Sequence, residues 1–184
     1  GALDAAEQLF RASLELEAQS AVLSAAYYAP AESSALGRGS AENTGPDRAG
    51  AIGYALSRLE RELGSELTYH NLWHTVEDVL PAVRRLAGMS GISASDIQLL
   101  EVAAAYHDIG YVIDRQEHER AGAEVVAQVL PGFGFTSEQV AAVQGMILAT
   151  RLPQSPRSPL EELLADADLA VLGREDSLAR SQAL

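Results

Sequence analysis

Leu99-Leu100-Glu101-Val102-Ala103-Ala104-Ala105-Tyr106-His107-Asp108-Ile109-Gly110 is the stretch on which the fold turns. Between Leu99 and Tyr106 a single charge interrupts an apolar run with three alanines at its centre. Nothing in it alternates as a half-buried strand does, and alanine has the highest helix propensity. A helix apolar on nearly every side belongs in the middle of a bundle. Ser93 or Ser95 is placed to cap it, and it is expected to run to about 109.

Helical patterns continue on both sides, and no strand-like alternation appears. A first helix is expected over 3–28, ended by Tyr28-Ala29-Pro30, and a polar stretch rich in Pro, Gly and Ser follows over 30–50. A second helix is predicted at about 47–64. A third is capped by Asn71, covers about 71–88, is kinked or broken at Pro81 and is stopped by Gly88. Further helices are expected at about 117–130, 136–150 and 158–172. The fold class is therefore all-α: an N-terminal helix (1–29), a flexible linker (30–50) and a helical domain (51–184), read either as a minimal domain or as a fragment of a longer one.

Composition narrows the chemistry. The formal net charge is -13, and every one of the 13 basic residues is arginine. Such a surface argues against nucleic-acid duplexes and anionic membranes, which select cationic proteins. No cysteine is present, so disulfides, thiolate catalysis and sulfur-ligated metals are excluded, and any metal site must use histidine and carboxylate. No run of 18 apolar residues suggests a membrane span, and the first residues do not read as a signal peptide, so cytoplasm is the expected compartment.

The four histidines are unevenly placed. His70 and His74 flank the Asn71 cap, His107 precedes Asp108 at the end of the most apolar helix, and His118 opens the next. Burying an ionised aspartate costs several kcal/mol unless it is paired or binds a metal. Taken alone, the pair also reads as a solvent-facing cap beside a helix-end cation, and Asp166 and Asp168 as a solvated helix face. Taken together, His74, His107-Asp108 and an aspartate from the last helix are most simply explained by one ion held by two imidazoles and two carboxylates.

The order of these landmarks resembles the HD superfamily of metal-dependent phosphohydrolases. The resemblance is carried by Tyr69-His70-Asn71-Leu72-Trp73-His74-Thr75, Tyr106-His107-Asp108-Ile109-Gly110, Glu117-His118-Glu119-Arg120 and Asp166-Ala167-Asp168-Leu169-Ala170, and it covers roughly 52–174. It implies a compact HD-domain bundle in which His74, His107, Asp108 and Asp168 ligate a divalent ion (Mn, Mg, Zn, Fe, Co or Ni). Asp168 is favoured over Asp166 by its Ala-Asp-Leu context. His118 matches a ligand of two-ion members, but their additional histidine is missing: Met146-Ile147-Leu148-Ala149-Thr150-Arg151 offers only Thr and Arg there. The resemblance therefore implies one ion per chain, with His118 lining the pocket.

It further implies hydrolysis of a nucleotide or another small phosphorylated substrate by a metal-activated water. Asp108, or else Glu77 or Asp78, would take the proton. Arg115, Arg120 and Arg151 are candidate phosphate clamps, and His70 stands behind the ligands. Trp73 and Tyr106 are read as core or pocket wall. A regulatory module that binds a nucleotide without turnover and a di-iron oxygenase are the competing readings, and a homo-oligomer is a possible assembly.

Overall fold

The computed structural model describes residues 45–63 and 70–170. The expected first helix and most of the linker lie outside the described residues, as do the ends expected near 64 and 172. Six α-helices and no strand occur among the described residues: α1 Arg48–Glu62, α2 Leu80–Ser90, α3 Ala94–Tyr106, α4 His118–Val129, α5 Ser137–Ala149 and α6 Pro159–Leu169. No helix among them is long and apolar enough to cross a membrane.

Helix α3 is the axis, packed against α1, α2, α5 and α6. Leu100, Val102, Ala103, Ala104, Ala105 and Tyr106 are all fully buried, and the alanines let neighbouring helices approach closely. Ser93 caps the helix, its hydroxyl accepting from Asp96 N at 3.1 Å. At the other end the Tyr106 hydroxyl donates to Ala51 O at 2.9 Å, tying α3 to α1 inside the core. The helix stops at Tyr106 rather than near 109, because Asp108 turns the chain into a 3-10 turn, Ile109–Val112.

Two expectations for the third helix need correction. Asn71 does cap it, accepting from His74 N at 3.0 Å, but Pro81 neither breaks nor ends it. A π-helical turn, His74–Val79, precedes α2, and Leu80 N donates to Thr75 O five residues back. The register changes just where Pro81, at the start of the α segment, has no N–H to offer. Nor does Gly88 stop the helix. It continues to Ser90, whose hydroxyl donates to Leu86 O, and the left-handed cap is Gly91 at φ 64°.

The remaining boundaries follow local chemistry. Helix α4 gives way to a 3-10 turn over Leu130–Phe133, and Thr136 with Gln139 forms a reciprocal capping box at the start of α5. Ser158 caps α6, with Pro159 at its first position.

Gly110 joins the end of α3 to α4. A Cβ there would meet His118 O and, at 2.7 Å, Gly122 N, both rigid backbone atoms. Gly110→Ala is expected to destabilise the protein by about 3 kcal/mol, the upper range for overpacking. Gly53, inside α1, has nothing within 4 Å of a built Cβ. Gly53→Ala is expected to stabilise by about 0.5–1 kcal/mol through helix propensity. Urea denaturation of the two variants checks both signs.

Candidate metal centre

Three elements deliver the central side chains. His74 begins the π turn, Asp168 lies in the last turn of α6, and His107 and Asp108 follow the last residue of α3. Adjacent residues of a regular helix point about 100° apart. Asp108 leaves the helical region (φ -98°, ψ 1°), and this local departure lets its carboxylate swing to the same side as His107.

The resulting cluster is tight and buried. His74, His107 and Asp108 each offer a donor atom within 4.8 Å of the others'. Asp168 Oδ1 lies 3.1 Å from His74 Nε2 and 3.5 Å from His107 Nε2, and Asp108 Oδ2 lies 3.2 Å from His107 Nε2. Donors bonded at about 2.1 Å to one ion stand about 3.0–3.4 Å apart in octahedral or tetrahedral geometry, so these separations match neighbouring ligands.

His107 supplies a second sign of a cation site. Its Nδ1 donates to Ala104 O at 2.7 Å, which leaves the lone pair on Nε2 facing the carboxylates. Nε2 is buried and makes no hydrogen bond, although both aspartates are within ionic reach. A lone pair and two carboxylates facing one another in a dry interior require a positive charge between them. Two neutral imidazoles and two carboxylates would balance a divalent ion.

Without a metal, a proton answers the same demand. Burial pushes His107 toward its neutral form, but Asp108 and Asp168 outweigh it and raise its pKa well above the ordinary histidine value. Burial opposes ionisation of Asp108 and Asp168 as well. His107 and His70 nevertheless hold Asp108 below the usual carboxylate range, and His107 and His74 do so for Asp168.

Around this floor lies a cavity of about 490 Å³, lined by His70, Asp108, Tyr111, Gln116, His118, Glu119, Thr150, Arg151, Leu152, Asp168 and Leu169. The Tyr111 ring stacks on His118 at 3.9 Å and on His70 at 4.5 Å. His70 Nδ1 reaches Asp108 Oδ2 at 3.2 Å from the cavity side. Burial raises the pKa of the Tyr111 phenol, and nearby carboxylates raise it further, so it stays a donor. His118 is shifted down, chiefly by burial.

The three candidate arginines separate. Arg151 is on the cavity wall, its Nη2 2.8 Å from Glu117 Oε1. Arg120 pairs with Glu124 on an exposed helix face, and Arg115 is exposed and not among the lining residues. Asp166 is also exposed, on the opposite side of α6 from its buried neighbours. Trp73 is not among the lining residues, and Tyr106 is core. Sequence reasoning assigned no role to Tyr111, Gln116, Glu119, Thr150 or Leu152. The proximity of Tyr111 to Asp108 and of Glu119 to His118 was the available signal.

The opposed shifts give a pH profile for the metal-free protein. The folded pKa of His107 is raised, so its contribution to stability is complete below the ordinary value of 6.5 and is lost as pH climbs through the folded value. The depressed aspartates contribute fully above their ordinary 3.8 and lose it as pH falls through their folded values. His118, whose folded pKa is lowered, works the other way below 6.5. Urea denaturation of metal-free protein is therefore expected to show a decline at alkaline pH and another as pH falls below about 6. A profile flat from pH 6 to 9 would show His107 already neutral between the carboxylates.

Comparison with known proteins agrees with this architecture. No curated protein matches the chain. A crystal structure described as a predicted HD superfamily hydrolase, from an uncultured Thermotogales bacterium, aligns with a TM-score of 0.59 at 24% identity. The alignment covers 71% of this chain and 73% of that one, a likeness of fold. The HD domain family model matches residues 59–170, well over half of the sequence and the region that holds all four central residues, and the chain belongs to the HD domain family.

Proposed function

We propose that this protein is a metal-dependent phosphohydrolase that cleaves a small phosphoester, with a nucleotide as the expected class of substrate. The observation that carries the reading is the buried cluster of His74, His107 and Asp108 with Asp168 against both imidazoles, whose two carboxylates line a cavity of small-molecule size. His74, His107, Asp108 and Asp168 would hold one ion, and such a donor set suits Mn, Fe, Co, Ni or Zn. A divalent ion held there supplies Lewis acidity and lowers the pKa of water.

The chain's own groups do the rest. Arg151 draws the substrate phosphate to the cavity, exchanging Glu117 for phosphate oxygens in a bidentate contact. The Tyr111 phenol donates to the substrate, and its ring borders the body of the leaving group. Asp108 is held ionised by His107 and His70, which fits a ligand better than a proton acceptor. His118, kept neutral by burial, takes the proton from attacking water. Attack forms a P–O bond, the P–O bond to the leaving group breaks, and the same proton passes to the departing oxygen.

Metal analysis combined with a panel of phosphomonoesters and phosphodiesters tests the reading. Wild type is expected to carry one divalent ion and to hydrolyse at least one ester. Asp108→Ala is expected to lose both properties. His118→Ala is expected to keep the ion and lose about 100-fold or more in kcat, the range for a proton-transfer group. Arg151→Ala is expected to act mainly on KM. Stoichiometric metal in Asp108→Ala would overturn the site, and a metal-replete wild type that hydrolyses nothing would overturn the activity.

A further inference from the structure

The two histidines of the centre are held from behind by different acceptors. His107 uses the neutral carbonyl of Ala104. Behind His74, Nδ1 lies 3.6 Å from Asp78 Oδ2, on the side of the ring away from Nε2, which faces Asp168 at 3.1 Å. Both side chains are almost fully buried, at 2% and 8% exposure. The π turn supports this pairing. Asp78, four residues on, lies on the same face of the turn as His74. Asp78 is thus too far behind the ring to receive a proton from a water at the centre, the role the sequence left open for it.

We propose that Asp78 is a positioning residue that fixes the ring and tautomer of His74, so that a lone pair on Nε2 is presented to the ion. The inference rests on the metal centre of the reading above but not on its activity. A carboxylate behind a ligating imidazole holds the proton on the far nitrogen and makes the near one a stronger donor. At 3.6 Å the contact is just beyond a hydrogen bond, and a small ring rotation closes it.

The test measures Co(II) binding to the full chain by calorimetry and by its visible spectrum, in wild type, Asp78→Asn and Asp78→Ala, with circular dichroism confirming the fold. Asp78→Ala is expected to weaken Co(II) binding about 10–100-fold and to alter the spectrum. Asp78→Asn, which keeps an acceptor and loses the charge, is expected to weaken it severalfold. A folded Asp78→Ala with a Kd within twofold of wild type overturns the proposal, even if its melting temperature falls. If that variant does not fold, the same criterion applies to Asp78→Asn. A wild type that binds no Co(II) overturns this proposal together with the metal centre. A wild type that binds Co(II) and cleaves no ester removes only the activity, and the Kd comparison still decides Asp78.

Discussion

Negative charge accumulates at the C-terminal end of α3, and the fold is arranged around the need to balance it. That end of a helix already carries the negative pole of the macrodipole. Asp108 sits there almost fully buried, Asp168 is brought against it from α6, and the lone pair of His107 points the same way. Burial leaves them little screening, so a positive charge among them is favoured, either a proton on His107 or a bound cation. The burial of α3 on all sides strengthens this demand, and its alanines allow the close packing around it.

Much of this was legible in the chain. The apolar run into His107-Asp108 marked both the central helix and the charge at its end, and the Asn71 cap located the helix that starts at His74. Asp168 was favoured over Asp166 only through the Ala-Asp-Leu context of the resemblance, and the fold separates them by exposing Asp166. What the sequence did not show depends on contacts between distant segments. The π turn arises where a proline, a cap and a buried histidine compete for the same backbone, and periodicity treats that region as ordinary helix. Gly88 and Gly91 are equally plausible stops by composition, and only the path of the chain selects Gly91. The arginines looked alike until the fold set Arg151 at the cavity and paired Arg120 with its own helix.

Floor and wall come from different parts of the molecule. Asp108, just past α3, and Asp168 and Leu169 of α6 build the floor. The start of α4 and the segment after α5 build most of the wall, including Thr150 and Arg151, where two-ion relatives are expected to carry a further histidine. At that position this chain has Thr150, whose hydroxyl donates to Ile147 O at 2.8 Å, and Arg151, paired with Glu117.

The contact between Gly110 and His118 couples the two halves. Backbone there meets backbone with no side chain between, so there is no rotamer to adjust and no soft layer to compress. His118 cannot shift relative to Asp108 without carrying the whole of α4 along. The distance from floor to wall is therefore a fixed gauge, set by main-chain thickness. Whatever enters the cavity meets a seam of main chain that holds Gly110 and the start of α4 at one separation.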